Sequence, residues 1–338
     1  MKFRILAACA LACAFALGAQ GAAAQDAAKQ ADAAKISSGE REAAEKINKA
    51  KGAEAKLQAA SEFVKKYPKS TLRQRIAEAV ANEILSTQDP AQKAALIETY
   101  VAFFNEPAEA EMVNAALLSA YIDAENPPRP ADAFKLAPAW LAKHPEDFDM
   151  MRRLAAVGSN AAIRGDSAYV EDARKYGSQA LELIEADKKP ADVDAQKWAE
   201  YKAKFLPGLY REVGILSLRT GDNAAGRARL EKAIALNTDD PSVYAIVGQM
   251  NDEEYTQLVS AYKAAPAGAA RDAALKKAEA QLDKVIDLYA RAVALAQGRP
   301  EYETLRTQVT PALTDYYKFR HNNSDAGLQQ LIDKYKRQ

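Results

Sequence analysis

The sequence predicts an all-α fold of antiparallel helix pairs that stack in a row, and three observations predict it. From about Ala43 onward, apolar residues recur with helical periodicity to the end of the chain. No window shows the sustained alternation of β-branched residues that a sheet would need. Pro, Gly and Asp interrupt the pattern at short intervals, so the helices are brief and joined by tight turns. A single helical hairpin cannot bury its apolar face alone, so neighbours must cover it.

The elements follow in order. Leu57, Ala60, Phe63, Val64 and Tyr67 form one stripe, which stops at Pro68-Lys69-Ser70. Leu72, Ile76, Ala79, Val80 and Ile84 form the next. Asp89-Pro90 then supplies an acidic cap with proline at the first helical position. Leu96, Ile97, Tyr100, Val101 and Phe104 run to a stop near Pro107, and Val113, Ala116, Leu117, Ala120 and Tyr121 run to the break at Pro127-Pro128-Arg129-Pro130. Phe134, Leu136, Trp140 and Leu141 end at His144-Pro145, and Met151, Leu154, Ala155 and Val157 end at Gly165-Asp166.

An explicit repeat lies further on. Pro207, Tyr210, Val213 and Gly214 recur 34 residues later as Pro241, Tyr244, Val247 and Gly248. Between them stand the turn Thr220-Gly221-Asp222-Asn223, then Gly226, Leu230 and Ala233, then Asp239-Asp240-Pro241. Small residues such as Gly214 and Gly226 let two helix backbones approach, while Tyr210 and Leu230 fill the space between helices. Gly221 supplies a turn conformation that other residues resist. This stretch resembles the tetratricopeptide repeat family, whose period is about 34 residues. The resemblance implies a right-handed solenoid of stacked antiparallel helix pairs over residues 43–338. Ser217, where an aromatic or leucine is usual, and Thr238, where proline is common, depart from the family pattern. Asn251-Asp252-Glu253-Glu254 replaces an apolar stretch and leaves the end of that helix open.

The N-terminus predicts export. Lys2 and Arg4 form a basic head, Ile5 to Leu17 an uncharged apolar run, and Ala22-Ala23-Ala24 a small-residue cleavage site. Residues 1–24 therefore read as a signal peptide cleaved near Ala24, and the protein as periplasmic or secreted, with no transmembrane segment after cleavage. Residues 25–42, rich in Ala, Lys, Asp, Gln and Ser, read as a flexible segment. Both cysteines, Cys9 and Cys13, fall inside the signal, so the exported chain has neither disulfides nor thiol chemistry. Leu6-Ala7-Ala8-Cys9 spells a lipoprotein box, but only Ile5 to Ala8 precede the cysteine as an apolar segment, so the match is read as accidental.

Composition narrows the function. Lys plus Arg equals Asp plus Glu, 46 against 46, with no long basic run, which argues against a nucleic-acid partner. The two histidines, His144 and His321, have no metal-ligand partner at helical spacing, and His144 reads as a helix-end residue suited to the dipole. No phosphate loop, Rossmann fingerprint, EF-hand or zincin motif occurs. No cofactor, metal or catalytic group is therefore expected. The acidic run Asp252, Glu253 and Glu254 reads as a solvated face rather than a catalytic pair. Arg164-Gly165-Asp166 reads as a repeat turn, and Trp140 and Trp198 as packing residues.

These features predict a non-enzymatic scaffold for a protein or peptide partner, with cell-envelope assembly as a candidate setting. Its expected groove is the inner face of the clearest repeat: Arg211, Ile215, Leu218 and Arg219, continued by Ala245, Gln249 and Asp252. In tetratricopeptide relatives that bind chaperones, this face is a basic, asparagine-bearing clamp for a C-terminal carboxylate. Ile215 stands where such a clamp needs a polar group, so that clamp is not expected. The alternative is a small-molecule or glycan binder using aromatics, with Tyr316 and Tyr317 as candidates.

Overall fold

A computed structural model of the protein describes residues 36–336. The expected signal peptide and residues 25–35 lie outside the described residues. Those described are all-helical, with fourteen α-helices, one 3-10 turn and no strand.

The chain divides between Asn126 and Pro127, at the proline-rich break, into two compact units. The first contains α1 (Ser38–Lys49), α2 (Ala53–Lys66), α3 (Arg73–Leu85), α4 (Pro90–Phe103) and α5 (Pro107–Asp123). The second contains α6 (Pro130–Lys143), α7 (Phe148–Ile163), α8 (Val170–Glu185), α9 (Ala195–Arg219), α10 (Asn223–Ala235), α11 (Pro241–Ala264), α12 (Ala269–Ala296), the 3-10 turn Pro300–Tyr302, α13 (Glu303–Arg320) and α14 (Leu328–Lys334). In both units each helix packs chiefly on the next helix or the next but one.

Helix α1 begins inside the segment expected to be flexible. Ser37 and Glu40 form a reciprocal cap there: the Glu40 N–H donates to Ser37 Oγ at 3.2 Å, and the Ser37 N–H donates to Glu40 Oε2 at 2.8 Å. Ile47 is buried and anchors the helix. A local cap plus one apolar contact is a weak signal beside the polar composition of residues 25–42.

In the first unit the core holds Phe63, Ile84, Ile97, Tyr100, Phe104 and Leu118, all essentially inaccessible to solvent. A buried ion pair ties three helix ends together. The Arg73 guanidinium donates to both oxygens of Glu109, at 2.7 and 2.9 Å, and to the Phe103 carbonyl at 2.8 Å. Glu109 also accepts from the Glu106 N–H at 3.1 Å and so closes the N-terminal cap of α5. The hydrogen bond from Arg73 to Glu109 raises the arginine pKa further. Of the stripe expected on α3, Ile76, Val80 and Ile84 are buried but Ala79 is exposed; Ala77 and Ala81 take the inner positions.

In the second unit five helices end in the same way. Gly165, Asp187, Gly221, Asn237 and Asn322 take positive φ, and the following N–H reaches back five residues, as Asp166 does to Ala161 and Asp222 to Ser217, each at 2.9 Å. The expected Gly-Asp turns at 165–166 and 221–222 are thus helix stops. Asp222 goes on to cap α10 through the Ala225 N–H at 3.1 Å.

Pro207 and Pro241, which match in the repeat, play different parts. Pro241 opens α11 behind its Asp240 cap, whereas Pro207 lies inside α9. The added N-terminal turns of α9 are held by aromatic contact. Trp198 and Tyr201 stack at 5.4 Å, and both meet Phe148 edge-on. Trp198 Nε1 also donates to Asp187 at 2.7 Å. This packing offsets the hydrogen bond that an internal proline removes.

Candidate functional site

The α9–α10 hairpin shows why small residues recur. A Cβ placed on Gly214 would come within 2.9 Å of the fully buried Leu230, and one on Gly226 within 2.5 Å of Leu218. The two helices therefore close tightly, and Leu218 is laid over Gly226 at the hairpin end. Gly248 of α11 meets Tyr289 of α12 in the same manner, at 2.6 Å.

Helix α11 carries straight through Asn251-Asp252-Glu253-Glu254 to Ala264, so the open helix end of the sequence reading is resolved in favour of continuation. A buried polar network holds this stretch. The Asn251 amide donates to the Val247 carbonyl at 2.7 Å, and Gln281 of α12 donates to Asn251 Oδ1 and to Glu254, both at 2.8 Å. Arg227 of α10 closes the network through an ion pair with Glu254 and a second with Glu231.

An open groove of about 600 Å³ lies between α11 and the α9–α10 turn. One wall is the stripe Ile246, Gln249, Met250, Glu253 and Gln257 on α11. The other comprises Leu218 at the end of α9 with Asn223, Ala224 and Arg227 at the start of α10. Leu218, Ile246 and Met250 are half-buried and apolar, while Gln249, Glu253 and Gln257 are exposed along the rim.

The seven residues expected to form one groove are not gathered there. Leu218 and Gln249 line it. Ile215 is buried, Ala245 half-buried, and Arg219 exposed outside the lining. Arg211 turns inward and pairs with Glu212 at 2.7 Å and with Asp240, the cap of α11. Asp252 turns toward α12 and α13, accepting from Tyr316 at 2.7 Å and Tyr289 at 3.5 Å. Burial, and then the Asp252 charge, push the Tyr289 pKa up to about 12. The expected face is about one residue out of register with the groove stripe, and one residue on a helix is a rotation of about 100°. The α11 residues Tyr255, Leu258, Val259 and Tyr262 continue a helical stripe past the acidic run, and that signal could have placed Met250 and Gln257 on a continuous wall.

Beside Arg211, Glu212 is nearly enclosed, with the Arg211 guanidinium at 2.7 Å and the hydroxyl of the fully buried Ser159 as its neighbours. Burial raises the Glu212 pKa above the ordinary carboxylate value, against the opposing pull of Arg211.

The aromatic candidates serve packing. The Tyr316 hydroxyl is taken up by Asp252, and Tyr316 meets Tyr255 edge-on at 5.8 Å. Tyr317 is buried and donates to the Ala326 carbonyl at 3.2 Å. Both histidines follow a helix end and stack on an aromatic at 3.9 Å, His144 on Trp140 and His321 on Tyr317. A shallower depression of about 410 Å³ lies on one face of α13, over Thr307, Thr310, Pro311 and Thr314.

Among the described residues, no group of His, Cys, Asp and Glu could hold a metal ion, and no helix is long and apolar enough to cross a membrane. The chain matches no protein-family model and no curated protein.

Proposed function

We propose that the protein is an exported, non-enzymatic scaffold of the tetratricopeptide type. Its helix pairs would stack as a right-handed solenoid, and the groove between α11 and the α9–α10 turn would take a segment of a partner protein. The observation that carries this reading is the groove itself. It has an apolar floor of Leu218, Ile246 and Met250 and neutral hydrogen-bonding side chains at Gln249 and Gln257. Such a surface suits a peptide, whose side chains need apolar contact and whose backbone needs polar partners. Support for the stacked arrangement comes from the 34-residue recurrence, the close glycines of α9–α10 and α11–α12, and the predominance of packing between neighbours in sequence.

Photo-crosslinking tests the groove. A photoreactive residue replacing Gln257 in the producing cell is expected to give a discrete adduct. One replacing Lys175, exposed on α8, is expected to give none. Equal labelling from both positions, or none from Gln257, would overturn the reading.

A further inference from the structure

The charges around the groove are unevenly satisfied. Its lining carries one cation, Arg227, and two anions, Glu253 and Glu254. Arg227 is committed to Glu254 and Glu231, and Glu254 is fixed further by Gln281. Those hydrogen bonds hold the Arg227 pKa above its ordinary value, so it stays charged and engaged. Glu253 is different: it is exposed, and no ion pair reaches it among the described residues. It follows Met250 by three residues, which on a helix sets the carboxylate beside the apolar floor. Arg219, next in sequence to the lining residue Leu218, stands exposed outside the lining.

We propose that the groove selects a cationic and apolar segment. A Lys or Arg of the partner would meet Glu253, and a large apolar side chain beside it would seat on Ile246, Met250 and Leu218. This rests on the groove reading above and adds the chemistry of the occupant. An acidic segment, or a free C-terminal carboxylate, would bring a second negative charge to Glu253 while Arg227 has no charge to spare. Like charges placed together disfavour the wrong partner, and that repulsion adds to the specificity.

The test is fluorescence anisotropy with the full exported chain and three labelled synthetic peptides. The first is built of Ala, Leu and Lys; the second replaces each Lys by Glu; the third replaces each Leu by Ser. The Lys/Leu peptide is expected to bind tightest. Glu253→Lys is expected to weaken it by about two- to fivefold, the range of an exposed ion pair, and Glu253→Gln by less. Ala224→Trp, at an exposed lining position, fills the groove without changing charge and is expected to block it. If Ala224→Trp blocks binding but the Glu peptide binds as well as the Lys peptide, the groove stands and the charge selection is overturned. If the Lys/Leu peptide binds equally to the native chain and to Ala224→Trp, the groove reading falls as well. Failure of the Lys/Leu peptide to bind at all overturns the inference.

Discussion

Gly214 and Gly226 face each other across the α9–α10 hairpin, and a Cβ on Gly226 would stand 3.1 Å from the Gly214 carbonyl oxygen. One side chain at either place must push the helices apart or displace a leucine. Gly214→Ala presses on Leu230, which is fully buried and has nowhere to move. Alanine ordinarily stabilises a helix interior by about 1 kcal/mol relative to glycine. Overpacking costs about 1–3 kcal/mol, so Gly214→Ala is expected to lower stability. Gly208 lies in the same helix with open space around it, and Gly208→Ala is expected to raise stability by about 0.5–1 kcal/mol. Urea unfolding of the two variants checks both signs.

The Arg73–Glu109 pair gives a prediction in the first unit. Glu109 is almost wholly buried, and Arg73 is largely so. Removing one partner leaves the other's charge enclosed, at a cost of about 3–5 kcal/mol. Glu109→Met alone and Arg73→Met alone are expected to destabilise strongly, and the double variant to be more stable than either. Chemical unfolding of the three proteins reads the order.

Glu212 gives a pH dependence. Its folded pKa lies above the unfolded value because burial disfavours the charged form. Between those two values the folded state binds the proton that the unfolded state releases. The Glu212 contribution to stability therefore rises as pH falls through the folded pKa, and levels off below the unfolded one near 4.5. Relative to Glu212→Gln, the native protein is expected to gain up to about 1.4 kcal/mol per pH unit in that window. Thermal unfolding of the two proteins across mildly acidic pH checks it. Parallel curves would contradict the assignment.

Export gives a prediction on the chain itself. The mature protein is expected to begin at Gln25, following cleavage after Ala24. Intact mass spectrometry of the protein recovered from the cell envelope fraction checks this. A mass retaining Cys9 would contradict it.

Much of the helical order was legible in the sequence because burial on a helix follows a fixed period. Leu57, Phe63, Ile84, Leu154 and Val213 were all expected inside and are. The turns at Gly165 and Gly221 were legible because only a positive φ ends a helix in that way. The misplaced features have a common physical cause. Proline marks a helix start at Pro241 but is carried inside α9 at Pro207, where Trp198, Tyr201 and Phe148 pack well enough to hold the helix beyond it. The acidic run after Gly248 left the helix end open because its partners, Arg227 and Gln281, come from elements distant in sequence. Those same contacts prolong α11 and so build the groove wall. The rotation of that wall is set by packing on α12, which periodicity alone does not fix.

The central claim is that a partner segment seats on Met250. The chain has only five methionines, Met1, Met112, Met150, Met151 and Met250, so methyl NMR of labelled methionine resolves the question directly. Titration with the Lys/Leu peptide is expected to shift the Met250 methyl saturably while Met150 and Met151, both buried in α7, stay fixed. A saturable shift at Met150, Met151 or Met112 with Met250 unmoved would contradict the account.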